Sequence, residues 1–319
     1  MNYNKNRVAR NQMPGFFRIL LCCFLLPAGF SSFSRGQESV PEEMRPYVGA
    51  RTVVDQPLTE VQRSLEDLKG LVPASSQEEL PPLLQKVGEA VRAMFEDFPR
   101  TTALERVSQD RTEPGLAEQL YRQQDYYYLI SPQENIADVG FEEYRTERKD
   151  DRLTPEALKG SFLLTSGYAT HPIYFHPVQQ KGSRFRYLGR QKSEGNAHVL
   201  AFAQRPEISG VRRYLRVRDQ TVPILLQGFA WVDPASCQIV RMHTGLLAPR
   251  KDAGLESQNT AIRFGEVRFK GVPRSFWLPM EVSVTMRIQG YFFRNRHRYS
   301  QYRLFNVESQ EGPIVPIKP

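Results

Sequence analysis

Between residues 276 and 288 every even position is apolar: Phe276, Leu278, Met280, Val282, Val284, Met286 and Ile288. The odd positions, Trp277, Pro279, Glu281, Ser283, Thr285 and Arg287, are mostly polar. Strict alternation of period two places one apolar row on one face of a strand. At about 3.3 Å per residue the stretch spans roughly 43 Å, against about five or six residues for an ordinary strand. A strand of that length belongs to a large, curved antiparallel sheet with one covered face and one wetter face. No other feature of the chain limits its architecture as tightly.

The rest of the chain reads as α+β. Residues 1–36 have the build of a secretory signal. Lys5, Arg7, Arg10 and Arg18 precede the apolar run 19–30, which is too short to span a bilayer comfortably. Residues 37–100 read as a polar leader followed by two helices, at 58–71 and 78–98. In the second, Leu80, Leu83, Leu84, Val87, Val91, Met94, Phe95 and Phe98 recur on one side, and Pro81-Pro82 fits the first turn. A β domain is expected over 101–310. Its strands are placed at 103–109, 119–131, 141–148, 183–191, 197–204, 212–218, 222–232, 238–247, 261–270, 276–288 and 291–307. One helix is expected within it at 154–168, where Thr154 caps and Pro155 takes the first position. Residues 311–319 form a proline-rich tail.

Charge is distributed unevenly. Residues 1–36 carry five of the 43 Lys and Arg and none of the 35 Asp and Glu, so much of the formal +8 leaves with the signal. The following stretch to residue 150 is net acidic and the remainder is net basic, which predicts attraction between the two halves. Only Cys237 survives signal removal, so the mature chain has no intramolecular disulfide. Nucleic acid is not an expected partner of an exported chain.

No catalytic constellation stands out. His171 and His176 are five apart and flanked by prolines, unlike the i, i+4 pair of a helical zinc site. No metal or cofactor is expected. There is no GxSxG elbow and no phosphate-binding glycine pattern. An enzyme would need groups that the sequence does not mark; His243 with Cys237 is the first pair to inspect. Arginines cluster instead: Arg212, Arg213, Arg216 and Arg218 on one strand, and Arg294, Arg296 and Arg298 alternating on the last. Two readings stand for such rows: a solvated sheet face, or contact with an anionic surface or acidic partner.

Two segments carry a resemblance. GFAWVDPASCQIVRM is similar to a hairpin of LolA-like lipoprotein carriers, and VRFKGVPRSFWLPMEVSV resembles the strand pair that follows it. The likeness is strongest to exported bacterial relatives of that superfamily and covers about residues 101–308. It implies a half-barrel with helices over its open side and a space between them that binds an acyl chain, lipid or lipoprotein. Such a site is apolar and leaves no catalytic signature. Phe229, Trp231, Leu278, Met280 and Val282 are the residues expected to line it. The protein is then expected in the periplasm or cell envelope, non-enzymatic, with a structural or interaction module of the envelope as the alternative and, behind it, an unrecognised envelope hydrolase.

The last strand allows a sharper expectation. If 276–288 turns its even residues inward, then Tyr299, Phe305 and Val307 face the core and Arg294, Arg296 and Arg298 face outward, unless a bulge flips the parity.

Overall fold

The computed structural model describes residues 40–116, 119–133, 140–147, 163–208, 210, 213–217 and 220–305. The signal segment, the tail and residues 154–162 of the expected inserted helix lie outside them. The described end of that helix, from Leu163 to Tyr168, is not helical.

In chain order the elements are α1 (Leu58–Ser64), β1 (Leu71–Pro73), α2 (Leu80–Glu96), β2 (Thr101–Thr112), β3 (Gln119–Pro132), β4 (Phe141–Glu147), β5 (Ser183–Gln191), β6 (Ala197–Gln204), β7 (Arg213–Val217), β8 (Gln220–Ile224), β9 (Leu226–Val232), β10 (Ile239–Leu246), β11 (Leu255–Arg268), β12 (Ser275–Ile288) and β13 (Tyr291–Leu304). Eleven strands form one open antiparallel sheet in the order β1-β5-β6-β9-β10-β11-β12-β13-β2-β3-β4, while β7 and β8 pair separately. The last strand therefore docks beside β2, some 190 residues earlier in the chain.

Local chemistry explains the element ends. Gln289 and Gly290, both at positive φ, make the two-residue turn between β12 and β13, with Ile288 opposite Tyr291. Asp233 closes the β9–β10 turn by accepting the backbone N–H groups of Ala235 and Ser236 at 3.1 and 2.7 Å. Pro81 and Pro82 sit in the first turn of α2, where their missing donors cost nothing. Residues 222–232, read as one strand, break at Leu225; the first part pairs with β7 and the second enters the main sheet.

At about 4.8 Å per strand a flat eleven-stranded sheet would be roughly 50 Å wide. Yet inner-face residues from β5 and β6 (Tyr187, Leu200, Phe202) share one core with residues of β3 (Tyr128, Ile130) and with Met242, Ile262, Val282 and Val284 between them. The sheet is thus curled around its core. What fills the curl is mainly residues 163–176, an irregular segment with one 3-10 turn at His171–Phe175, on which α2 packs. Helices alone were expected there.

Among the described residues the outer face is covered on one half. Val61, Leu68 and Leu71 lie over Leu188, Val199, Ala201, Phe229 and Trp231. The stretch expected as an extended polar leader is packed too: Met44 and Tyr47 are buried against Ala203, Leu225 and Leu247. Tyr47 donates its O–H to the Pro223 carbonyl at 2.9 Å and accepts the Leu225 N–H at 3.2 Å. Ion pairs joining the acidic and basic halves, such as Asp55–Arg184, Asp67–Arg241 and Asp97–Arg274, hold this layer and α2 down.

Candidate functional site

Two regions concentrate chemistry: the polar wall inside the curl and the uncovered outer face. The five residues expected to line one groove belong to neither as a set. Phe229 and Trp231 point outward from β9 under α1, whereas Leu278 and Val282 point into the main core. Successive strand residues face opposite sides, and the sheet itself separates the two groups. Met280 falls at a bulge: Arg263 pairs with Glu281 and Phe264 with Pro279, so Met280 has no partner residue and its side chain lies over Gly265.

Inside the curl, Glu105 on β2 is fully buried. Its carboxylate accepts from Arg145 of β4 through both oxygens, one at 2.8 Å, from His297 Nδ1 at 2.8 Å and from the Tyr299 hydroxyl at 2.7 Å. Burial alone would push this carboxyl up; the charge of Arg145, with hydrogen bonds from His297 and Arg145, overrides burial and holds it down at about 2. Burial keeps His297 neutral, its pKa lowered despite the adjacent carboxylate. Since a carboxylate only accepts, Nδ1 carries the proton, and Nε2 accepts the Tyr168 O–H at 3.1 Å. Thr165 completes the chain by donating to Tyr168.

That order of carboxylate, imidazole and hydroxyls is the order of a proton relay. Here the Glu105 and His297 side chains have no solvent exposure, and the hydroxyls belong to the segment that fills the curl. The wall grips that segment largely through its backbone. Glu143 accepts the N–H groups of Gly167, Tyr168, Ala169 and Thr170 at 2.8, 3.0, 3.1 and 3.3 Å. Gln109 and Asn295 donate to the Leu163 carbonyl at 3.0 and 2.5 Å. Arg213 donates to the Gly167 carbonyl at 2.8 Å. Arg213, expected on a solvated arginine row, is therefore a buried clamp; Arg212, Arg218 and the Arg216 side chain lie outside the described residues.

The histidines find structural settings. His171 is buried beside Arg213, and burial, then that charge, pushes its ring pKa well down. His176 meets Phe95 edge to face. His243 lies on the outer side, 3.8 Å from Asp67, while Cys237 packs against the main core, so the pair is not assembled. Among the described residues no group of three or more His, Cys, Asp or Glu could hold a metal ion.

On the outer face, Arg294, Arg296 and Arg298 stand opposite the core, and Tyr299 faces inward. Phe305 is 40% exposed rather than inward. A register shift between Ser300 and Arg303, with Gln301 at φ 56°, flips the parity before it; Val307 lies outside the described residues. Register aligns a charged row across six strands: Arg241, Arg263, Glu281, Arg298, Arg106 and Asp125. The neighbouring row holds Ala261, Ser283 and Arg296. Between the arginines lies a depression of about 190 Å³ floored by Ala261 and Ser283. Arg241 and Arg263, which sequence reasoning did not single out, alternate outward on their own strands; only the register reveals that they join Arg296 and Arg298.

No family model matches the chain, and no curated protein matches it. In structure it is similar to a domain described as outer membrane lipoprotein-sorting from Vibrio parahaemolyticus, at 13% identity and a TM-score of 0.33 over 71% of this chain and 94% of that one. It is similar to a DUF1329 family protein from Desulfovibrio piger, at 13% identity and 0.34, with the same coverage. A LolA superfamily protein from Nitrosomonas europaea aligns at 13% identity and 0.29, over 70% and 94% of the two chains. Likeness at this level says nothing of ligand or partner.

Proposed function

We propose that this is an exported, non-catalytic interaction module of the cell envelope, whose interior is closed by its own chain and whose partners meet it from outside. The observation that carries this reading is the grip of the inner wall on the backbone of residues 163–170. An acyl chain entering there gains about 0.8 kcal/mol per buried methylene. It would also evict Leu163, Tyr168, Ile173, Tyr174 and Phe175, all buried, each worth about 1.5–3 kcal/mol. The apolar terms nearly offset one another, so the polar terms decide. Glu143, Arg213, Gln109 and Asn295 would lose their partners, at about 1–3 kcal/mol each and more for the charged groups. The wall is built for a peptide, not for hydrocarbon.

A lipid or lipoprotein carrier is the second reading, favoured by the apolar inner rows of β6, β9, β11 and β12 around Leu200, Ala230, Ile262 and Val282. Native mass spectrometry of protein purified from its own envelope separates the two. A clean apo mass under gentle desolvation is expected; a retained lipid adduct would replace the module with the carrier. Envelope fractionation tests the export half of the proposal, and recovery in the cytoplasm with residues 1–36 intact would refute it.

A further inference from the structure

Four guanidiniums border the outer depression, Arg241 and Arg263 on one side and Arg296 and Arg298 on the other, with the Glu281 carboxylate between them. The donors on the two sides are not equally committed. Glu194 takes Arg241 at 2.9 Å and both ends of Arg263 at 3.3 and 3.1 Å, and Asp67 takes Arg241 at 2.5 Å. Opposite, Arg296 is 3.6 Å from Asp110 and Arg298 is 3.7 Å from Glu281. Those are ion pairs beyond hydrogen-bond reach, so among the described residues the donors of Arg296 and Arg298 are not taken up by a carboxylate.

The strand order brings β11, β12 and β13 side by side. Two strand spacings put the Arg263 backbone roughly 10 Å from that of Arg296 and Arg298. An anion seated over Ser283, on the strand between, faces Arg296 and Arg298 and has a hydroxyl donor beneath it, while Arg263 keeps its hold on Glu194. Ala261 keeps the floor low. A planar carboxylate is satisfied by one or two guanidiniums, as Glu194 shows. A group with oxygens pointing three ways can take the forks of both Arg296 and Arg298 and the Ser283 hydroxyl at once. A space of about 190 Å³ is smaller than the 300–1,000 Å³ of sites that swallow a drug-sized ligand, so it takes a head group and not a whole lipid.

We infer that this depression is a binding site for a phosphate monoester, held by Arg296 and Arg298 over Ser283. The site is independent of whether the interior opens. Calorimetric titration of the purified mature chain, in chloride buffer of low ionic strength, tests it with glycerol 3-phosphate. A second arm uses phosphatidylcholine vesicles with and without phosphatidic acid. Saturable binding of glycerol 3-phosphate is expected. It should weaken at least tenfold in the double variant Arg296→Gln/Arg298→Gln and fall steeply between 50 and 200 mM salt. Ser283→Glu keeps every arginine but puts a carboxylate on the floor, and it should abolish binding. Binding to the phosphatidic acid vesicles with the same variant sensitivity assigns the monoester to a lipid head group; binding of the soluble ester alone assigns it to a free metabolite. No saturable binding by the wild type in either arm, or binding that both variants leave unchanged, overturns the inference.

Discussion

Replacing Glu105 with Gln should remove the buried charge on which Arg145, His297 and Tyr299 converge inside the curl. The substitution is nearly isosteric, so packing is kept and the charge alone is lost. Arg145, whose side chain is 10% exposed, would then be a buried cation without its carboxylate. Breaking a buried ion pair from one side costs about 3–5 kcal/mol. Proton linkage leads to a similar figure. The Glu105 carboxyl sits at about 2 against an ordinary value of 4.5, which corresponds to roughly 3 kcal/mol at neutral pH. A depressed carboxyl contributes stability above its unfolded pKa and loses it as pH falls through the folded one, so the contribution should fade between about pH 4.5 and 2. Urea unfolding at pH 7 should show Glu105→Gln destabilised by about 3 kcal/mol. Much of that difference should vanish near pH 3, where the wild type has itself lost most of the benefit. The double variant Glu105→Gln/Arg145→Met removes the orphaned charge and should recover part of the loss. A loss under about 1 kcal/mol for the single variant, or a double variant worse than the single, would refute this account of the network.

Trp231→Ala should cost about 3–5 kcal/mol, because the indole is fully buried between β9 and the α1 layer; an unchanged melting curve would contradict that burial. At Gly228 a Cβ would lie 2.0 Å from the His243 carbonyl oxygen, so Gly228→Ala should part β9 from β10 and expose their amides to hydrogen exchange. Normal protection there would show the approach to be looser than described. Replacing Arg294, Arg296 and Arg298 together with Gln should leave stability within about 0.5 kcal/mol per site while weakening attraction to anionic liposomes in a salt-dependent way. Undiminished binding, or loss of the fold, would count against an outward-facing arginine row.

Most of the strands were legible in the sequence, although β11 begins six residues before the expected 261, 222–232 divides in two and β1 was read as helix and linker. Strands β5 and β6 fall where alternation places them, and β12 begins one residue early. Period-two patterning and turn residues are local properties, so a single chain read in order contains them. The apolar side of α2 and the outward parity of Arg294, Arg296 and Arg298 were legible for the same reason. Partners across the fold were not. Phe229 and Leu278 are equally apolar in sequence, but only the layer formed by residues 40–71 on the far side of β9 decides that they never meet. At Gln301, which has a positive φ, a register shift reversed the parity of the described residues that follow, through Phe305. Glu105 and Arg145 are 40 residues apart, and Arg263 and Arg296 are separated by β12. Alternation specifies which side of its own strand a residue occupies; the order and register of the strands, set by non-local pairing, decide which residues share a site.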